Sequence, residues 1–169
     1  MPNSDHNDTV EQRRVELWVR SSSPVAAESA CRESVERLDS LVRDGVLSDR
    51  SVRLWGKAVG TSTTAARTER AREVLDTVAS FREWAARRDR ELTPYFRTRE
   101  ATSAVTDESY TVQVLPVRAL AEYRGDDLAF VAPSTHGDTT CSVRDRIDAL
   151  GTGADPVSAS PDGGRSDAG

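Results

Sequence analysis

Arg14-Val15-Glu16-Leu17-Trp18-Val19-Arg20 alternates, with Val15, Leu17 and Val19 on one side, and the alternation returns in Ser51-Val52-Arg53-Leu54-Trp55-Gly56-Lys57-Ala58-Val59. A period of two is that of a half-buried strand. Between the two runs, Ser21-Ser22-Ser23-Pro24 offers a serine N-cap and a proline at the first helical position. Ala27, Cys31, Val35, Leu38 and Val42 then step by four, four, three and four, laying an apolar stripe along a helix from Pro24 to Arg43 that Gly45 stops. Strand, long helix, strand is a βαβ unit, so the two strands are expected to lie side by side and parallel, with a right-handed crossover.

Working outward, Ser62-Thr63-Thr64 is the expected cap of a second long helix with the stripe Ala71, Leu75, Val78, Phe81 and Ala85. After Thr93-Pro94 the pattern turns β-rich. Two hairpins are expected, Tyr95 to Ser103 with Tyr110 to Leu115, and Val117 to Tyr123 with Leu128 to Val131. Ser142-Val143-Arg144-Asp145 is a capping box with Asp in place of Glu, opening a last helix that ends at Gly151. The fold class is therefore α/β: an open sheet with a βαβ unit, a second long helix, two β-hairpins and a C-terminal helix. Residues 13–150 form the single expected domain. Residues 1–12 and the acidic 151–169 are expected to be disordered, having too little apolar content to offset ordering.

Composition bounds the function. The chain has 22 Arg against one Lys, Lys57, and 28 acids, 16 of them Asp, which suits a salt-adapted archaeal proteome. At ~1 M salt, repulsion between surface charges is screened within about 3 Å. The acids Asp5, Asp8, Glu11, Asp155, Asp162 and Asp167 lie at the two ends, leaving residues 13–150 formally neutral with 22 basic and 22 acidic residues. Such a core gives no strong pointer to nucleic acid or to an anionic membrane. No run approaches the ~18 apolar residues of a membrane helix, and the start Met1-Pro2-Asn3-Ser4-Asp5-His6 lacks a signal pattern, so a cytoplasmic location without membrane association is expected.

Candidate chemistry is sparse. Cys31 and Cys141 stand outside any ligand spacing and read as small core residues. His136-Gly137-Asp138 with Cys141 mixes hard and soft ligands around one histidine and reads as a capping loop, so no metal and no cofactor are expected. Ser21 to Ser23 lack a base and read as helix caps. The acid pairs Asp107-Glu108 and Asp126-Asp127 read as solvated turn residues. No catalytic residue is assigned. One cluster remains: Arg82, Arg87, Arg88, Arg90, Arg97 and Arg99 against three acids, a possible nucleic-acid or partner contact with Trp84, Tyr95 and Phe96 as stacking groups. Trp18 and Trp55 sit mid-strand opposite the aliphatic residues, either packed together under the second helix or marking a partner surface.

The order β-α-β-α, proline, hairpin, helix is similar to the thioredoxin fold, most locally at Leu115-Pro116-Val117, followed by the hairpin through Gly125 and the helix from Ser142. That resemblance implies a cis proline before the third strand. Where it would place redox cysteines the chain has Ser21-Ser22-Ser23-Pro24, so thiol chemistry is not carried over, and the hairpin from Tyr95 to Leu115 is an addition. The runs 13–21, 52–57, Phe81-Arg82-Glu83-Trp84 and Val114-Leu115-Pro116-Val117 also resemble an uncharacterised family of small haloarchaeal proteins, often labelled helix-turn-helix domain proteins. The expectation is a non-enzymatic binding or regulatory module with an unknown protein partner. The rivals are a DNA-binding regulator, as that label implies, and an enzyme on a thioredoxin-like scaffold.

Overall fold

The structure, a computed structural model, describes residues 12–21, 25–61 and 68–153. Strand β1 (Arg13–Arg20), helix α1 (Val25–Arg43) and strand β2 (Asp49–Trp55) form the βαβ unit, with β1 and β2 parallel and Leu17 opposite Val52. The chain turns after α1 at Gly45, whose φ of 79° is one that only glycine takes without strain. The remaining elements are β3 (Ala58–Gly60), α2 (Glu69–Arg87), β4 (Thr98–Thr102), β5 (Ser109–Val114), β6 (Arg118–Arg124), β7 (Asp127–Ala132), β8 (Ser134–His136), β9 (Thr139–Cys141) and α3 (Val143–Thr152). A four-stranded sheet runs β2-β1-β6-β7, with β6 antiparallel to both neighbours. A three-stranded antiparallel sheet runs β3-β5-β4, and β8 and β9 form a small hairpin.

Helices cover both faces of the main sheet. On one face Arg118 of β6 reaches Ala30 and Ser34 of α1, and Glu122 of β6 meets Arg146 of α3. On the other, Trp18 and Trp55 stack with ring centroids 5.1 Å apart beneath α2, whose Glu73 pairs with Arg53 of β2. Phe96 bridges them, meeting Trp55 and Phe81 of α2 edge to face. The expected tryptophan pairing under the second helix is thus the observed one.

Six details depart from the sequence reading. The run Ser51 to Val59 is two strands: β2 ends at Trp55, and after Gly56-Lys57 residues 58–60 pair with β5 in the other sheet. Alternation persists across the break while the pairing partner changes, with Leu115 N–H taken by the Lys57 carbonyl. Helix α2 is capped by Thr68, whose hydroxyl accepts from Ala71 N–H at 3.1 Å; Ser62 to Thr64 lie outside the described residues, as does Pro24. Its buried face is Val74, Val78, Phe81, Trp84 and Ala85, turned from the expected stripe because Trp84 points inward. Tyr95 to Arg97 form a turn rather than strand, since Phe96 N–H returns to the Leu92 carbonyl and its ring enters the core. Finally, α3 continues through Gly151 and stops at Gly153 with φ 71°. The cis X-Pro bonds are Thr93–Pro94 and Ala132–Pro133, so Pro116 is not cis; its carbonyl accepts from Trp55 Nε1.

The capping box is present, with Ser142 Oγ accepting from Asp145 N–H and Asp145 accepting from Ser142 N–H. That backbone bond, then the Ser142 hydroxyl, holds the Asp145 carboxyl below its ordinary range. A depressed folded pKa contributes stability above the unfolded value of about 3.9 and loses it as pH falls through the lower folded one. Asp145→Ala is therefore expected to lower Tm at about pH 6, and the gap should close by about pH 2. A gap that holds constant across paired thermal melts would refute the assignment.

Candidate functional site: an arginine-lined cleft at the end of the sheet

Ligands of open α/β sheets gather outside the carboxyl ends of the parallel strands. Here β1 ends at Arg20 beside the start of β6, where Val19 lies opposite Arg118 and Arg20 N–H donates to the Val117 carbonyl at 2.8 Å. A cleft of about 470 Å³ opens at this point. Arg20, Arg97 and Arg118 line it, with Tyr95, Pro94, Pro116 and Pro133 as apolar wall and the start of α3 at Ser142 and Val143.

Two of the arginines are oriented by neutral acceptors. The Arg20 guanidinium donates to the Leu115 carbonyl, and Arg118 Nη1 donates to the Ala30 carbonyl at 3.1 Å and to Ser34 Oγ at 2.6 Å. Arg97 is exposed and its guanidinium meets no acid among the described residues. None of the described lining residues is acidic. A second cleft, about 330 Å³, lies across Leu115 and is floored by Trp55, Val59 and Val74, with Thr68 and Arg70 at its rim. Its Arg70 is engaged, donating to the Leu54 carbonyl and pairing with Glu73.

The six arginines singled out in the sequence are spread over three places. Arg97 joins the cleft, and Arg82 of α2 is tied to the same segment through buried Gln113, which accepts from Arg82 and donates to the Arg97 carbonyl at 3.1 Å. Arg90 turns away, donating to Ser134 Oγ and covering the Phe130 ring, where burial lowers its pKa. Arg87, Arg88 and Arg99 are exposed, and none of the six forms an ion pair among the described residues. Of the proposed stacking groups, Trp84 and Phe96 are core residues, which leaves Tyr95.

Arg20 and Arg118 were missed by sequence reasoning. Each sits at a strand end, and only the β1–β6 pairing makes neighbours of residues 98 positions apart. His136 caps as expected, with Nδ1 2.9 Å from the Asp89 carbonyl just past α2. Cys31 and Cys141 are half-buried, and desolvation is the main force raising both thiol pKa values. The acid pairs at 107–108 and 126–127 are exposed. Of Ser21 to Ser23 only Ser21 is described, its N–H donating to the Trp55 carbonyl. Among the described residues no helix is long and apolar enough to cross a membrane.

No curated protein and no solved structure matches the chain. Residues 7–155 match the family model described as Helix-turn-helix domain, and the chain belongs to that family.

Proposed function

We propose that the chain is a non-enzymatic binding or regulatory module that takes its ligand in the Arg20–Arg97–Arg118 cleft. The observation that carries this reading is an open recess with three arginines and no acid among its described lining residues, in a chain of net charge −5. Against an enzyme stands the lack of a base, among the described lining residues, beside the cleft's one aliphatic hydroxyl, since Ser142 Oγ is engaged in the α3 cap. We read the scaffold as a thioredoxin-like variant spanning residues 13–150. The order β2-β1-β6-β7, the single reversed strand and the helices on both faces support that assignment. The arginine-for-lysine composition supports a cytoplasmic protein of a salt-adapted, haloarchaeal cell.

A fragment library screened on ¹⁵N-labelled protein tests the site. Shifts gathered on Tyr95, Val117, Arg118 and Val143 are expected; shifts confined to other surfaces would overturn it. The scaffold reading carries its own expectation, that the protein reduces insulin no faster than dithiothreitol alone. Attack requires a thiolate, and both thiols are held toward the neutral form. Turnover abolished by Cys31→Ser would reverse it.

A second reading, DNA-binding regulation, is favoured by the family description and by the exposed Arg87, Arg88 and Arg99, which form no ion pair among the described residues. Among the described residues, however, strands separate each α-helix from the next, and no pair of helices is joined by a short turn. Phosphate-based affinity falls by ~10³ or more over a modest rise in salt. We expect no retained complex in mobility shifts with genomic fragments in molar KCl. A footprint that survives this salt and is lost in Arg87→Glu/Arg88→Glu would promote the second reading over the first.

A further inference from the structure

We propose that the outer edge of β2 is a self-association surface, where β2 of a second copy pairs antiparallel about a two-fold axis at Ser51 and joins the two main sheets. Among the described residues β2 has β1 as its sheet neighbour and an open edge on its other side. The opposite outer strand is closed: in β7, Phe130, Val131 and Ala132 are buried and the Ala129 carbonyl accepts from Trp84 Nε1 at 3.1 Å. β2 instead shows Val52 at 40% and Leu54 at 49% exposure. Both lie on the α1 side of the sheet with Arg50, whose Nε donates to Asp39 of α1 at 2.6 Å. Arg53 faces the α2 side, meeting Glu73 and the Trp18 ring, and exposed Asp49 shares that side by alternation.

The backbone fixes which residues can pair. Ser21 N–H, continuing β1, donates to the Trp55 carbonyl, so alternate residues of β2 bond inward and Arg50, Val52 and Leu54 present their N–H and C=O outward. The Leu54 carbonyl is already held by the Arg70 guanidinium. A two-fold antiparallel pairing then leaves few registers. Setting Arg50 opposite Arg50, or Arg53 opposite Arg53, places like charges face to face, which destabilises a ladder. Setting Val52 opposite Val52 requires Leu54 to give up Arg70. With Arg50 opposite Val52 of the second copy, these two exchange backbone bonds and Arg70 keeps its place. Asp49 then falls opposite Arg53 of the second copy at both ends of the seam, and the Arg50 stem covers Val52. Within one strand Asp49 and Arg53 stand ~13 Å apart, out of reach of each other. That charge complementarity favours a second copy over an unrelated strand as the occupant of the edge.

Sedimentation equilibrium of the full chain from about 10 μM to about 1 mM should show the mass rise from one chain toward two and stop there, because the pairing uses up the edge. Val52→Lys, at an exposed side chain, should keep the far-UV circular dichroism of the parent and abolish the rise. Val105→Lys, at 92% exposure between β4 and β5, should leave it as it was. Asp49→Arg should weaken association by about tenfold, since it sets arginines opposite each other at both ends of the seam, and Arg53→Asp should do the same with acids. Their equimolar mixture has opposite charges at both ends again and should associate about as tightly as the parent. Arg53→Asp also gives up Glu73, so its fold is checked first, and Asp49→Arg decides the register alone if that variant does not fold. A chain that stays monomeric to about 1 mM would overturn the proposal and leave the edge to a different partner. So would a dimer indifferent to Val52→Lys, an equal loss in Val105→Lys, or a mixture that associates no better than its components.

Discussion

Glu122→Ala is expected to destabilise the protein by about 3–5 kcal/mol in urea unfolding, the cost of stranding a buried partner charge. Glu122 is fully buried on β6, and its Oε2 accepts from Arg146 Nε at 2.9 Å and Nη2 at 2.5 Å. Arg146, itself 3% exposed, lies over the Phe130 ring at 4.3 Å, a second contact that prefers its charge. Arg13 stands 3.5 Å from Oε1, too far for a good hydrogen bond but near enough to attract. Removing the carboxylate takes from buried Arg146 the anion it pairs with among the described residues. Removing both ends is a different experiment. Glu122→Met/Arg146→Met replaces a desolvated pair by side chains of similar length, and such exchanges are often neutral or stabilising. The double variant is therefore expected to recover most of the loss, and a double variant as unstable as the sum of the singles would refute this account. The pair also bears on the cleft: it fixes α3 to β6, and the start of α3 and Arg118 of β6 are two of its walls.

Most elements were legible because each repeats a local rule, while the short β8–β9 hairpin around His136 read as a loop. Val15, Leu17 and Val19 show a period of two, the α1 stripe shows a helical one, and Ser142 with Asp145 writes its own cap. What the chain does with those elements was less legible. Alternation through Val59 carried no sign that Gly56-Lys57 moves the strand to a second sheet, because pleat periodicity is blind to the identity of the neighbour. Gly151 and Gly153 are equivalent stop signals on paper. Only the backbone separates them, Gly153 taking a left-handed φ of 71° while Gly151 stays within the helix. The cleft divides in the same way. Arg97 was visible as one member of a charged run, while Arg20 and Arg118 read as ordinary strand ends until β1 and β6 paired. Charge clustering in sequence found the arginines near one another along the chain. The site needed those near one another across the sheet.

Trp55→Ala is expected to cost about 3–5 kcal/mol, as for other large aromatic truncations in a packed core, and its gentler relative is the more discriminating test. Trp18 and Trp55 stack on each other and are 1% and 3% exposed, so replacing either by Phe removes a similar area from the same stack. Their indole N–H groups differ. Trp55 Nε1 donates to the Pro116 carbonyl at 3.0 Å, whereas Trp18 Nε1 is buried without a hydrogen-bond partner among the described residues. A buried polar group left unpaired costs roughly 1–3 kcal/mol. Trp18→Phe therefore relieves a penalty as it loses packing, and Trp55→Phe loses packing and a bond together. We expect Trp55→Phe to be the less stable of the two by about 1–3 kcal/mol in matched urea titrations. The functional consequence should follow the same order. Pro116 is a wall of the cleft, and Phe96, which leans on Trp55, lies between Tyr95 and Arg97, so only the Trp55 variant should disturb the amides of Tyr95, Arg97 and Val117. Equal stabilities would mean that the Trp55–Pro116 bond does not hold in solution, and the support we assign to that wall of the cleft would go with it.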